Sequence, residues 1–207
     1  MGHRIKVLEN FVSKDDAESI ILMMKILKAD GGLIPFVDNH YVSVAPSNYY
    51  PTELMIKKYS DLLIHEHKKE FGIVRDLFTV QGHASLWEKG SRALEHIDSH
   101  GGSEHIITSS VIYLGGEFDG GEITFPNQGF TYKPKALSAV IFPSGGTEYL
   151  HGVSEISSGE RFTIAMWHSL EYHFSIGEHN KRIGNNDVAS IWATDHRGLM
   201  AACPTGQ

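Results

Sequence analysis

Residues 94–100 read LEHIDSH, set between two runs of strand character, LFTVQGHASLW at 77–87 and HIITSSVIYL at 105–114. In an extended chain, positions i and i+2 stand on the same side, so His96 and Asp98 would project an imidazole and a carboxylate together, a possible pair of metal ligands. With 13 His and 10 Asp in 207 residues, an H-x-D triplet is expected about 0.6 times by chance, so the triplet alone decides nothing. The competing reading is a surface turn in which Asp98 bonds its own backbone ahead of Ser99 and the Gly101-Gly102 pair.

Working outward, the chain beyond Asp76 continues as short strands. GEITF, LSAVIF and RFTIAMW follow the first two, separated by Gly, Pro, Asn and Ser clusters. Before Asp76 the texture is helical. Ser13 is a suitable N-cap for a helix carrying Ala17, Ile20, Ile21, Met24 and Leu27 on one face and stopping at Gly31-Gly32. A second helix is expected from Pro51 to Gly72, with Met55, Tyr59, Leu62 and Leu63 inward. The stretch PFVDNHYVSVAPSNYY between them reads as one short strand flanked by loops. Strands preceded by helices predict a mainly β fold, an antiparallel sandwich or barrel braced by N-terminal helices. The expectation is a single domain, with helical support over about 1–75, a β core over about 76–175 and an irregular tail from Glu178 to Gln207.

Composition narrows the function classes. Lys and Arg total 18 against 25 Asp and Glu, a net charge of -7, so nucleic acid is not an expected partner. Cys203 is the only cysteine, which excludes an intramolecular disulfide or a multi-cysteine metal site. No long apolar run or signal-like amino end is present, so the expectation is a cytoplasmic protein that does not enter a membrane. Nothing in the sequence sets an oligomeric state.

A third ligand to accompany His96 and Asp98 should come from another strand, and His151, between EYL and GVSEISSGE, is the best candidate. Two His and one carboxylate on one face leave open positions on an octahedral ion, the arrangement that suits non-haem Fe(II). Zinc is the rival, but neither H-E-x-x-H nor a compact three-His signature is present. Ten residues after His151, Arg161 opens RFTIAMW, where period-two alternation places Arg161, Thr163, Ala165 and Trp167 on one face and Phe162, Ile164 and Met166 on the other. A guanidinium there needs a partner, either a ligand carboxylate or a neighbouring acid such as Glu160.

Taken together, these pieces resemble the prolyl 4-hydroxylase-like branch of the 2-oxoglutarate and Fe(II)-dependent dioxygenases. The resemblance rests on H-I-D at 96–98, VIYL at 111–114, GGEITFP at 120–126, VIFP at 140–143, HGV at 151–153 and GERFTIAMW at 159–167, in that order. It implies a double-stranded β-helix (jelly-roll, cupin-like) barrel in which His96, Asp98 and His151 bind Fe(II). It further implies that Arg161 and Tyr113 hold the distal carboxylate of 2-oxoglutarate and that O2 is consumed. A tyrosine packed in the barrel wall is the other reading of Tyr113. Trp167 matches an aromatic position lining the site, although strand tryptophans are mostly core. Many family members carry Tyr nine and three residues before the first ligand, where this chain has Trp87 and Ala93. Those two positions are expected on the substrate side, so the departure bears on the substrate.

The resemblance implies hydroxylation of an unactivated C–H with release of succinate and CO2. A prolyl residue in a peptide or protein is the expected substrate, and a free amino acid or other small molecule is the alternative. A non-catalytic binding module and a zinc hydrolase on the same barrel are the rivals, the former opposed by the intact ligand set. The segment from Phe36 to Tyr50, with Tyr41, Tyr49 and Tyr50, is expected to act as a substrate-recognising lid. His65 and His67 are expected to be solvated on the second helix, His100 to lie in a turn and His105 at a strand start. The acidic loop GGEFDGGE, with Glu117, Asp119 and Glu122, lacks the spaced ligands of a calcium loop.

Overall fold

Helix α1 (Lys14–Ala29) starts where Ser13, in extended conformation, accepts a hydrogen bond from the Asp16 amide, and Asp15 and Asp16 complement its N-terminal dipole. Helix α2 (Tyr50–Phe71) has Pro51 in its first turn and ends at Gly72, whose φ of 67° is the left-handed conformation a glycine adopts freely. The computed structural model describes residues 4–36, 42–46 and 49–193. Among them, no helix is long and apolar enough to cross a membrane.

The two helices cover one face of the larger of two antiparallel sheets. This sheet comprises β1 (Lys6–Leu8), β2 (Ile34–Phe36), β3 (Val42–Val44), β4 (Phe78–Glu88), β6 (Ile106–Gly115), β10 (Ser138–Pro143) and β12 (Ile156–Ser169), in the order β1-β10-β6-β12-β4-β3-β2. Strand β7 (Phe118–Gly120) pairs with the first part of β12. The smaller sheet has the order β5 (Ala93–His96), β11 (His151–Val153), β8 (Ile123–Phe125), β9 (Phe130–Tyr132). The double-stranded β-helix expectation holds, but the two sheets do not close into a barrel among the described residues. The strands of the smaller sheet, three or four residues long, form no ladder with the larger one.

Strand β12 shows how the alternation read from the sequence becomes architecture. Phe162, Ile164 and Met166 join Ala84 and Leu86 of β4 and Ile20, Met24, Ile56, Tyr59 and Leu63 of the helices in one buried cluster. Arg161, Thr163, Ala165 and Trp167 point the other way, into a cavity between the sheets. The face of α1 is as expected, with Ala17, Ile20 and Met24 buried and Ile21 and Leu27 packed at the rim.

Three local expectations are corrected. On α2 the inward stripe is Ile56, Tyr59, Ser60, Leu63 and His67, so Leu62 is left exposed and His67 is buried rather than solvated. Residues spaced three and four apart share a face, and this register runs through Tyr59 and Leu63 to His67. The stretch 35–50, expected to hold one strand, takes part in two, since β2 (Ile34–Phe36) ends in it and pairs with β3, Phe36 standing opposite Val42; Tyr49 and Tyr50 lead into α2, and Tyr41 lies outside the described residues. The stretch from Glu178, expected irregular, is helical as far as Ala193. Ser175 caps α3 (Ile176–Arg182), accepting from the Glu178 amide, and α4 (Asn186–Ala193) follows Gly184.

Buried His67 packs tilted against His168 of β12 with ring centroids 4.7 Å apart, and neither nitrogen of His67 has a hydrogen-bond partner among the described residues. Burial holds His67 well below its ordinary value, helped by His168, and lowers His168 to about 3. Both rings therefore stay neutral in the fold, while the unfolded chain takes up protons near pH 6.5. Stability is complete above that pH and falls as the pH drops below it, by up to about 2 kcal/mol per ring at pH 5. His67→Leu should therefore reduce the loss of urea midpoint between pH 7.5 and pH 5; an unchanged loss would refute this account.

Candidate metal centre

The end of β5 and the start of β11 run antiparallel with His96 directly opposite His151. His151 thus opens β11. Asp98 follows two residues after His96 in the bend beyond β5. The Asp98 carboxylate sits between the imidazoles, with Oδ1 3.4 Å from His96 Nε2 and Oδ2 3.9 Å from His151 Nε2. All three potential ligand atoms lie within 4.8 Å of one another, and this is the one such group of His, Cys, Asp or Glu among the described residues.

The protonation pattern suits a cation. His96 Nδ1 lies 2.7 Å from the Leu94 carbonyl and His151 Nδ1 3.0 Å from the Tyr149 carbonyl. A carbonyl only accepts, so each Nδ1 carries the proton and each Nε2 offers a lone pair toward Asp98. Burial pushes the Asp98 carboxyl upward, but the neighbouring His96 and His151 and the Ser109 hydroxyl outweigh it and hold the group well below the usual carboxylate range. Burial also lowers His151 and favours its neutral, ligating form. Phe125, stacked at 5.2 Å, and Phe142, edge-on at 4.8 Å, fix the His151 ring.

Further into the same cavity, strand pairing sets Trp87 opposite Arg161 and Tyr113 opposite Thr163. Arg161 is 1% exposed, and its guanidinium lies 4.1 Å from the Trp87 ring. Its Nη1 donates to the Gly121 carbonyl, but its Nε has no partner among the described residues. Burial brings the Arg161 pKa down to about 10, opposed by Tyr113 and Glu122, so it remains a cation at neutral pH. Glu160, the alternative partner, instead meets Lys28 at 2.6 Å. Burial raises the Tyr113 phenol, which keeps its proton and can donate it. A buried cation with an unsatisfied N–H beside a phenol is a site for a carboxylate.

All seven candidate residues, Trp87, His96, Asp98, Tyr113, His151, Arg161 and Trp167, line this one cavity. The Trp87 ring lies over the Arg161 guanidinium and its indole N–H donates to Thr163 Oγ1 at 3.0 Å, at the guanidinium end of the cavity. Ala93 packs with Val42, Trp87 and Ile156 and does not line the cavity. His83, Ser85 and Thr163 line it and were missed, although alternation in LFTVQGHASLW puts His83 and Ser85 on the face of Trp87. Gly121 was also missed. Its φ is 73°, and a Cβ there would lie 2.7 Å from Arg161 Nη1. The remaining polar residues have local roles: Asp119 accepts from Ser158, Glu122 accepts from Ser154, and His105 stacks on Phe174. His65 is exposed, as expected.

The sequence profile of the 2OG-Fe(II) oxygenase superfamily matches residues 80–169, a segment that holds every candidate residue. Prolyl 3-hydroxylase 2 of Mus musculus is 32% identical over 95 residues, 44% of this chain and 13% of that protein. This chain therefore corresponds to a small part of that relative. A Pseudomonas putida prolyl-4-hydroxylase superposes with a TM-score of 0.65 at 21% identity, covering 81% of this chain and 92% of the other. A Trichoplax adhaerens prolyl hydroxylase, solved with a hypoxia inducible factor peptide fragment, gives 0.65 at 15% identity over 81% and 84%.

Removing the carboxylate should abolish cation binding. Asp98→Ala is expected to weaken Mn(II) affinity by at least about 100-fold in a calorimetric titration, and wild-type affinity in that variant would refute the assignment. The segment that carries the site is thus the one that matches the 2OG-Fe(II) oxygenase superfamily profile, and its fold is shared with solved prolyl hydroxylases.

Proposed function

We propose that this chain is a 2-oxoglutarate and Fe(II)-dependent dioxygenase that hydroxylates a prolyl residue in a peptide or protein. The overall change is R–H + 2-oxoglutarate + O2 → R–OH + succinate + CO2. The observation that carries the reading is the pairing, in one cavity, of a two-His, one-Asp ligand set with a buried guanidinium whose Nε is unsatisfied. The names of the relatives support the prolyl substrate.

His96, Asp98 and His151 would hold Fe(II), which when bound supplies the centre at which 2-oxoglutarate and O2 react. The protein's part is to bind and orient. Arg161 offers charge and N–H donors to the distal carboxylate, and the protonated Tyr113 phenol adds another donor. Trp87 and the Gly121 carbonyl keep the guanidinium from turning away. The apolar walls, among them Ile123, Phe142 and Val153, exclude water from the reacting groups.

Purified protein supplied with Fe(II), 2-oxoglutarate and prolyl peptides should form succinate in an O2-dependent manner, and His96→Ala should reduce this at least about 1000-fold. Retained activity in His96→Ala would reject the reading. Gly121→Ala, which crowds Arg161, should raise the KM for 2-oxoglutarate about tenfold or more while leaving Mn(II) affinity within twofold. An unchanged KM would show that Arg161 is not the carboxylate anchor.

A further inference from the structure

His83 is the cavity-lining imidazole that the metal centre does not use. On β4 it stands two residues from Ser85 and four from Trp87, opposite Ala165 of β12. The cavity walls thus run from the guanidinium end at Trp87 and Arg161 to an opposite end where His83 meets Trp167. The ring is clasped on two sides, by Phe36 of the β2–β3 hairpin at 5.5 Å and by Trp167 at 5.2 Å. No hydrogen bond from a described residue satisfies its nitrogens, while burial lowers it to about 4 and keeps it neutral at physiological pH. A neutral imidazole has one N–H donor and one acceptor.

Charge limits what can occupy this end. Among the described residues lining the cavity, Arg161 is the only Lys or Arg, and it lies at the far end. A free amino acid would bring an α-carboxylate to an aromatic wall with no Lys or Arg of the described residues to meet it, whereas a residue inside a peptide brings uncharged amides. We propose that His83, held between Phe36 and Trp167, positions the substrate by donating its N–H to a backbone carbonyl next to the target residue, and so selects peptides over free amino acids. This rests on the dioxygenase reading above and names the residue that sets its substrate class.

The test is anaerobic binding to protein loaded with Mn(II) and 2-oxoglutarate, followed by tryptophan fluorescence. The probes are a library of capped pentapeptides with central proline and free L-proline. Wild-type protein should respond to the capped peptides and bind L-proline at least tenfold more weakly. His83→Phe, which keeps an aromatic ring between Phe36 and Trp167 and removes the donor, should raise the peptide half-saturation at least tenfold, with that for 2-oxoglutarate moving less than twofold. His83→Gln, which restores an N–H, should recover most of the affinity. Wild-type peptide affinity in His83→Phe, or preference for L-proline, would overturn the proposal. No response to any peptide in protein that does bind 2-oxoglutarate would overturn it too, leaving the metal and cosubstrate assignment standing. Failure to bind 2-oxoglutarate would overturn the reading beneath it.

Discussion

A guanidinium buried to 1% exposure in the middle of a sheet is the constraint around which this molecule is arranged. An Arg in such a place is costly unless its donors are met, and the fold meets only part of the demand. Trp87 lies against one side, the Gly121 carbonyl takes one N–H, and Nε is left over. The ladders of β12 with β4 and β6 make that position possible, because they set Trp87 and Tyr113 on the same side as Arg161 and send Phe162, Ile164 and Met166 into the helices.

The smaller sheet supplies the other half of the site. Its strands are short, yet the pairing of His96 with His151 brings two imidazoles to 4.4 Å between ring centres. Their backbone hydrogen bonds select the tautomer that turns both Nε2 atoms to Asp98. The two sheets therefore divide the work: the smaller presents a cation site and the larger an anion site, facing one cavity. A dicarboxylate that also chelates a metal is the ligand this division fits.

Much of this was legible in the residues, for identifiable reasons. RFTIAMW alternates over seven positions, long enough for period two to separate the Arg161 face from the Phe162 face. His96, Asp98 and His151 followed from ligand chemistry together with a motif order that single triplets lack. Strands β5, β8, β9 and β11 are three or four residues long, too short for any periodicity to define their pairing. His67 looked like a solvated helix residue because polarity argued against its position on the buried stripe. That Trp87 faces Arg161 is set by register, and only the pairing of β4 with β12 shows it. His83 escaped notice because its partners, Phe36 and Trp167, are remote in sequence.

The central claim is that one cavity holds a cation on the triad and a 2-oxo acid on Arg161 so that the two meet. The most direct measurement is visible absorption of the anaerobic protein titrated with Fe(II) and 2-oxoglutarate. The account predicts a charge-transfer band that requires both components and is lost in Asp98→Ala. Tight binding of each component with no shared band would contradict it.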